Sequence, residues 1–385
     1  MSVALFPLAC RAALLLAACC AGIGSSVAQV PTPAQQQLRE LDRDLVEINT
    51  TDSAGSCTVA AEAMQKRLLA GGIPASDIRI IVPPGAPKKG NLVARHRGTG
   101  AKKPILLLGH LDVAEARRED WVRDPFTLIE EGGYFYARGA TDDKSMVAIF
   151  LDNLIRYRRE GWRPARDIIV AATCDEEIIP SKFNCVEYLL GNHRALIDAE
   201  FALNEGAGSL LDAAGKPVRM GIQAGEKMFQ TYTLETTDPG GHSAMPRKDN
   251  AIAHMAARLA RLGAHDWPFK LSETTRAYFE RIKVSMVGAP TPSPAPPLTR
   301  EIMAPVEQVS AQMWPGVPLV PTLLVAATDS RFLNSAGIPA YGLSGMFRDP
   351  DGGGVHGLNE RLRVQSLYEG HEFLYRVVKL YAGGH

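Results

Sequence analysis

The sequence lacks an excess of charge of either sign, since its 385 residues include 42 Lys and Arg against 42 Asp and Glu. Electrostatic binding of nucleic acid needs a basic surface, so this balance does not predict nucleic acid as a partner. The marks of disorder are also missing, because 46% of the residues are hydrophobic. This content is sufficient for one large core or two domains, and we expect a small molecule as partner.

Cysteine is scarce, with six in the chain. Three of them lie near the amino terminus, and the others are Cys57, Cys174 and Cys185. No CxxC pair or Cys/His spacing predicts a thiolate metal site. An odd number of thiols cannot pair completely. Two interpretations of Cys174 are open: a disulfide with Cys185, or a small buried hydrophobic residue.

Residues 1–28 differ in kind from the rest of the chain. Arg11 precedes the apolar run AALLLAACCAG, and the SVA that ends at Ala28 places small residues before a cleavage site. This pattern is typical of a secretory signal peptide, and the run is too short for a stable membrane anchor. We therefore predict export to a bacterial periplasm. In a second interpretation, the LAAC that ends at Cys19 is a lipoprotein box, and the chain is tethered through Cys19.

An apolar run, Ile168–Thr173, ends close to two adjacent carboxylates, Glu176 and Glu177. The run is short and rich in β-branched residues, which predicts a strand covered on both faces. Carboxylates removed from water cost several kcal/mol unless they are paired, and a metal ion would pair them. The alternative is a solvated loop that happens to carry two acidic residues.

Other strand patterns end in the same way, which favours the metal over the loop. Ligands of parallel sheets collect beyond the carboxyl ends of the strands. PILLLG and AEFAL are both buried-strand patterns, and RGATDDKS stands directly before a helical pattern. The polar residues at these points are His110 with Asp112, Asn204 with Glu205, and Asp142 with Asp143.

Strand and helix patterns alternate as far as Leu203, which predicts an α/β fold with helices on both faces of a mixed sheet. The pattern changes at Gly221 to a half-exposed strand (MFQTYTLETT), two helical patterns and the proline-rich APTPSPAPP. We therefore predict a main domain formed by residues 31–220 and 298–385. A small α+β insert, residues 221–297, interrupts it.

Six motifs follow one another along the chain: GHLDV, RGATDDKS, CDEE, NEG, GGHSAMP and GGGVHG. Together they resemble the M20 family of dinuclear zinc peptidases and aminoacylases, over nearly all of the chain that follows the signal peptide. Glutamate carboxypeptidase, aminoacylase-1 and succinyl-diaminopimelate desuccinylase belong to that family. The resemblance implies a zinc-peptidase-like fold with a lid domain and a metallo-exopeptidase or aminoacylase activity.

The resemblance also implies a set of metal ligands. Asp142 would bridge two ions, with His110 and Glu205 completing one site and Glu177 and His356 the other. Carboxylates mixed with imidazole, and no thiolate, suit two Zn²⁺ ions, with Co²⁺ or Mn²⁺ as substitutes.

Three further residues receive roles from the same resemblance. Glu176 would be the general base, and Asp112 would hydrogen-bond the second ring nitrogen of His110. His242, in GGHS, would donate a hydrogen bond from the lid to the oxyanion of the tetrahedral intermediate, in some relatives across a homodimer interface.

The insert departs from the family pattern. A family lid is a βαββαβ unit, whereas residues 221–297 offer one clear strand, two helical patterns and a short strand at Lys283–Val287. We therefore predict a shortened lid and a weakened dimer contact. Two functions are open: hydrolysis of an amide next to a free carboxylate, in a dipeptide, at a peptide carboxyl terminus or in an N-acyl amino acid, and binding of metal or ligand with little activity.

The remaining candidates have simpler interpretations. Arg331 either contacts a substrate carboxylate or forms an ion pair with Asp329 or another acidic residue. GGGVHG lacks the strand-to-helix context of a dinucleotide-binding loop. The histidines without ligand-like surroundings are predicted to lie at the surface: His193, His265, His371 and His385.

Overall fold

The computed structural model describes residues 30–179, 181–206, 208–226, 231–240, 247–265, 283–287, 293–324 and 326–384. The predicted signal peptide, His242 and His385 lie outside these residues. Among the helices of the described residues, none combines the length and apolar character that crossing a membrane requires.

Helices and strands alternate through most of the described chain. The helices are α1 (Pro33–Val46), α2 (Cys57–Ala70), α3 (Lys144–Arg159), α4 (Cys185–Asn192), α5 (Arg194–Ile197), α6 (Ala251–Gly263), α7 (Arg300–Met313), α8 (Ser330–Ser335) and α9 (Val364–Ala382). The strands are β1 (Ile78–Ile81), β2 (Asn91–His96), β3 (Ile105–His110), β4 (Ile129–Glu131), β5 (Tyr134–Tyr136), β6 (Ile168–Thr173), β7 (Phe201–Asn204), β8 (Leu210–Leu211), β9 (Pro217–Glu226), β10 (Thr231–Glu235), β11 (Lys283–Val287), β12 (Leu319–Leu324), β13 (Ala340–Gly342) and β14 (Arg361–Arg363).

A mixed sheet forms the centre of the fold, in the order β1-β2-β6-β3-β7-β13-β9-β12, with β8 paired to β9. Strand β3 pairs in parallel with both β6 and β7, and β7 pairs in parallel with β13. The pairs β1–β2, β2–β6 and β13–β9 are antiparallel. The predicted mixed sheet is confirmed, and β6 has the bounds that the apolar run indicated.

Both faces of the sheet are covered, which explains why its central strands are apolar throughout. Alternate side chains of a strand point to opposite faces. Ile105 and Leu107 of β3 lie in a core cluster with residues of α1, α2, α3 and α9. Leu106 and Leu108 lie in a second cluster with residues of α4 and α8. Every residue of β3 and β6 is buried in consequence.

The insert contributes a small antiparallel pair, β10 with β11, and the helix α6. The strand predicted at Lys283–Val287 is β11. The predicted start of the insert at Gly221 is wrong, because β9 remains in the main sheet as far as Glu226 and pairs there with β12. Gly221 and Gly225 interrupt the apolar pattern of this strand, so its continuation to Glu226 was not visible in the sequence. The shortened lid stays a prediction, since much of the insert lies outside the described residues.

His371 is not a surface residue, contrary to the prediction. It lies on the inner face of α9, and its Nε2 is 2.9 Å from Oδ2 of Asp152 on α3. Both side chains are buried. Helical periodicity placed His371 towards the core, where a buried carboxylate provides the partner that a buried imidazole needs.

A disulfide joins Cys57, at the start of α2, to Cys174, directly after β6. The proposed Cys174–Cys185 pair is therefore wrong. Cys185 is a free, buried thiol at the start of α4, and burial raises its pKa to about 12. The sequence could not rank these pairings, because they depend on how α2 packs against the end of β6.

The disulfide should contribute substantially to stability, since its cysteines are 117 residues apart and the closed loop is long. Replacing both Cys57 and Cys174 by Ala should lower the free energy of unfolding by ~2–5 kcal/mol, measured by urea denaturation. Cys185→Ala is the control, and we expect a loss on the order of 1 kcal/mol from the smaller side chain.

A reducing agent separates the two effects. It should destabilise the wild type and the Cys185→Ala variant and leave the double variant unchanged. Wild-type protein that unfolds at the same urea concentration with and without reductant would contradict the disulfide.

Candidate metal centre

The candidate site lies at the carboxyl ends of three adjacent parallel strands. His110 is the last residue of β3 and is in register with Thr173, the last residue of β6. Asn204 ends the neighbouring strand β7. The loops that follow these strands therefore leave the sheet side by side, as is usual for ligand sites in α/β proteins.

One group of potential ligands consists of His110, Asp142 and Glu205, all buried. The Nε2 atom of His110 lies 3.1 Å from Oδ1 of Asp142 and 3.8 Å from Oε1 of Glu205. Each residue offers a donor atom, and these atoms lie within 4.8 Å of one another. The residues come from the end of β3, the start of α3 and the end of β7.

A second group consists of Asp142, Glu177 and His356. The Nε2 atom of His356 lies 3.0 Å from Oδ2 of Asp142 and 3.1 Å from Oε2 of Glu177. Asp142 therefore belongs to both groups and directs a different oxygen to each histidine. The structure brings together all five side chains that the family resemblance implied as ligands: His110, Asp142, Glu177, Glu205 and His356.

Asp112 orients His110, but through its backbone and not through its carboxylate as predicted. The Nδ1 of His110 donates a hydrogen bond of 2.9 Å to the Asp112 carbonyl, and the nearest carboxylate oxygen is 3.7 Å away. The carboxylate instead accepts a hydrogen bond of 3.0 Å from the backbone N–H of Glu177. Asp112 thereby links the two ligand-bearing loops.

This hydrogen bond determines which nitrogen of His110 faces the site. A carbonyl oxygen only accepts, so Nδ1 must carry the proton, and neutral His110 presents a lone pair at Nε2. That lone pair faces the carboxylate oxygen of Asp142 at 3.1 Å. Two acceptors at this distance repel unless a proton or a cation lies between them. The donor set therefore fits a bound cation.

The pKa shifts indicate the same need for positive charge. Burial alone would lower the pKa of His110, but Asp142, Glu205 and Asp112 raise it well above its usual value. Hydrogen bonds with Asp142 and Glu177 raise the pKa of His356 to about 10. Oε1 of Glu177 is buried and has no hydrogen-bond partner among the described residues. Carboxylates and imidazoles in this combination suit divalent ions such as Zn²⁺.

Glu176 belongs to neither ligand group, although it is adjacent to Glu177. It is buried, and burial raises its pKa well above the usual value for a glutamate. The charges of Asp329, Asp142 and Asp112 act in the same direction. Within the described part of the chain, Glu176 is therefore a carboxyl group close to the site that takes no part in the contacts between the ligands.

Sequence reasoning assigned no role to several residues that support the site. Oδ2 of Asp143 accepts a hydrogen bond of 3.3 Å from the backbone N–H of His110. Arg138 and Glu360 form a buried ion pair beside Asp142. The sequence shows Arg138 shortly before TDD and Glu360 shortly after His356. Neither residue, however, indicates that the other is its partner.

Two predicted residues gain no role from the structure. His242 lies outside the described residues. The guanidinium of Arg331 lies 4.5 Å from the ring centroid of Phe332, and its Nη1 is buried without a hydrogen-bond partner among the described residues. The two interpretations of Arg331 therefore both stay open.

The family model described as peptidase family M20/M25/M40 matches residues 106–380, which carry every candidate ligand. The chain belongs to this family. Family membership agrees with two features of the chain. Candidate ligands lie at or near the ends of β3, β6 and β7, and the six motifs follow one another in the family's order.

Relatives of this M20 protein have similar sequences over part of their length. The probable carboxypeptidase S-like 2 of Dictyostelium discoideum is 31% identical, over 58% of this chain and 40% of its own. The chain thus spans well under two thirds of that relative. Aminoacylase-1A of Rattus norvegicus is 26% identical, over 71% of this chain and 79% of its own.

The fold of the M20 protein is similar to that of solved M20 structures. The M20 family metallo-carboxypeptidase Sso-CP2 from Sulfolobus solfataricus has a TM-score of 0.63 at 16% identity. The superposition covers 90% of this chain and 99% of that one. This likeness confirms the predicted fold class.

The site leaves no room for a side chain at Gly109. A Cβ there would lie 2.6 Å from Oδ2 of Asp143 and 2.8 Å from Cγ2 of Val147, both held in the buried start of α3. Gly109→Ala should therefore lower the free energy of unfolding by ~1–3 kcal/mol. Gly191→Ala is the matched control, because a Cβ there meets nothing within 4 Å.

Chemical denaturation measures both variants. Gly191 lies within α4, so its replacement should leave stability unchanged or raise it by up to about 1 kcal/mol. If Gly109→Ala is as stable as the control, β3 and α3 do not pack this closely at Gly109.

Proposed function

We propose that this M20 protein hydrolyses an amide bond that lies next to a free carboxylate. The observation that carries the proposal is the division of Asp142 between two ligand groups, each completed by one histidine and one glutamate. A carboxylate shared in this way is suited to hold two ions close together, as in two-metal hydrolases.

The proposed ligands are His110, Asp142 and Glu205 for one ion and Asp142, Glu177 and His356 for the other. Two bound divalent cations would lower the pKa of a water molecule and polarise the scissile carbonyl. We expect Zn²⁺, with Co²⁺ or Mn²⁺ as substitutes, because the ligands are carboxylates and imidazoles.

Glu176 is the proposed general base. It follows the same strand end as Glu177 but is in neither ligand group, so its carboxylate is available to accept a proton from water. The same group then returns the proton to the leaving amine. His242 is the proposed donor to the oxyanion, and Arg331 is a candidate to bind the substrate carboxylate.

The names of the relatives support this class of substrate. A carboxypeptidase and an aminoacylase both cleave an amide whose amine side carries a free carboxylate, in a peptide or in an N-acyl amino acid. The alternative of a binding protein with little activity is not favoured, because these relatives bear the names of enzymes. A homodimer contact through the shortened lid, weaker than that of a complete lid, belongs to the same proposal.

We also propose that the enzyme works outside the cytoplasm, after removal of residues 1–28 or tethered at Cys19. The Cys57–Cys174 disulfide supports this location, because structural disulfides persist mainly in oxidising compartments.

The metal content tests the proposal directly. Purified protein supplied with zinc should contain two divalent ions per chain by elemental analysis, and a chelator should abolish hydrolysis of dipeptides or N-acyl amino acids. Restoring Zn²⁺ should restore the activity. Protein without bound transition metal under these conditions would exclude the proposed centre.

The two adjacent glutamates should respond differently to substitution. Glu176→Gln should keep both ions and lose on the order of a hundredfold or more in kcat, the scale of a missing general base. Glu177→Gln should instead weaken metal binding, because Oε2 of Glu177 lies 3.1 Å from Nε2 of His356 in the proposed ligand group.

Elemental analysis and steady-state kinetics on both variants make this comparison. Equal loss of metal in the two variants would remove the distinction between the base and the ligand.

A further inference from the structure

Arg138 and Glu360 form an ion pair that is removed from solvent and lies directly behind the candidate metal centre. Nη1 of Arg138 donates a hydrogen bond of 2.7 Å to Oε2 of Glu360, and the side chains are 2% and 0% exposed. The residues are 222 positions apart in the chain. The pair thus joins two distant segments at one buried point.

Glu360 holds the backbone at the shared ligand. Its Oε1 accepts hydrogen bonds of 2.7 Å from the N–H of Thr141 and 3.1 Å from the N–H of Asp142. Thr141 is held a second time, because its Oγ1 donates to the carbonyl of Arg361 at 2.9 Å. The carboxylate of Glu360 therefore fixes the position of the peptide from which the Asp142 side chain projects.

Arg138 holds the segment on the other side. Its Nη2 donates a hydrogen bond of 2.8 Å to the carbonyl of Gly357, the residue next to His356. His356 and Asn359 both have positive φ, of 58° and 57°, and lie outside regular secondary structure. A loop of this kind does not hold its own shape through a ladder of backbone hydrogen bonds, so outside contacts must position it.

The pair therefore connects the two ligands that must meet. Oδ2 of Asp142 and Nε2 of His356 are 3.0 Å apart, although Asp142 lies just before α3 and His356 lies in a loop far along the chain. Breaking the pair would leave a charge buried without a partner. Burial raises the pKa of Glu360, and the positive charge of Arg138 opposes this shift.

Stability alone is a poor explanation for this arrangement. Buried ion pairs contribute little more than well-packed apolar residues of the same size. Here, however, Oε1 of Glu360 and Nη2 of Arg138 are both hydrogen-bonded to the backbone of a ligand-bearing segment. That geometry determines the distance between the two segments, which an apolar pair could not do.

We propose that Arg138 and Glu360 are positioning residues that set the separation of Asp142 and His356, and thereby the affinity for the ion held by Asp142, Glu177 and His356. This inference rests on the metal ligands of the proposed function. The ion held by His110, Asp142 and Glu205 should depend less on the pair, since His110 and Glu205 follow strands of the sheet.

The first test is Arg138→Lys, which keeps a positive charge beside Glu360 but cannot also hold the Gly357 carbonyl. Titration of the metal-free protein with Zn²⁺ by calorimetry should resolve two binding events in the wild type. In the variant, one event should weaken by roughly 10–100-fold, the usual effect of losing a residue that orients a ligand, and the other should change less.

A second variant separates positioning from charge balance. Arg138→Met combined with Glu360→Gln leaves no buried charge, so the midpoint of thermal unfolding should remain near that of the wild type. The link to Gly357 is still missing, so the same Zn²⁺ binding event should remain weak. If Arg138→Lys does not fold, the Zn²⁺ affinities of this double variant test the positioning role instead.

Arg166→Lys is the matched control. Arg166 pairs with Glu200 at 2.5 Å, and both residues precede their strands, at the edge of the sheet away from the site. Both Zn²⁺ affinities should equal those of the wild type.

The possible failures are distinguishable. If the wild type binds fewer than two ions, the proposed function is wrong. If the wild type binds two ions and both Arg138 variants bind them with wild-type affinities, only the positioning role of Arg138 and Glu360 is wrong.

Discussion

The carboxylate of Asp142 is the point on which the rest of the site depends. Its two oxygens face two histidines from different parts of the chain, at 3.1 and 3.0 Å. Around it the fold concentrates buried carboxylates, an arrangement that is unfavourable without compensating positive charge. The raised pKa values of both histidines express this demand, and bound cations would satisfy it.

The scaffold tolerates this charge because the sheet beneath it is rigid and apolar. Strands β3 and β6 are buried along their whole length and end in register at His110 and Thr173. Hydrophobic packing on both faces therefore holds the strand ends, while loops provide most of the charged residues. Where a ligand lies on a loop, as His356 does, the hydrogen bond that Arg138 donates to the Gly357 carbonyl replaces the support of a strand.

Much of the fold was predictable because buried parallel strands have an unambiguous pattern. The run Ile168–Thr173 became β6 without change, and the candidate ligands followed from the polar residues at such strand ends together with the motif order. The boundary at Gly221 failed for the opposite reason. Gly221 and Gly225 interrupt the apolar pattern of β9, so the sequence does not show that the strand continues to Glu226. Very short strands such as β4, β5 and β14 leave too few residues for any period to be visible.

The sequence by itself indicated the candidate metal ligands, the strand ends near which three of them lie and the family to which the chain belongs. These properties are local, because an apolar run and the polar residues after it are neighbours in the chain. The tertiary structure alone decided the Cys57–Cys174 pairing, the burial of His371, the use of the Asp112 carbonyl and the Arg138–Glu360 pair. Each of these depends on which distant segments meet when helices and loops pack onto the sheet, and no pattern within one segment specifies its partner.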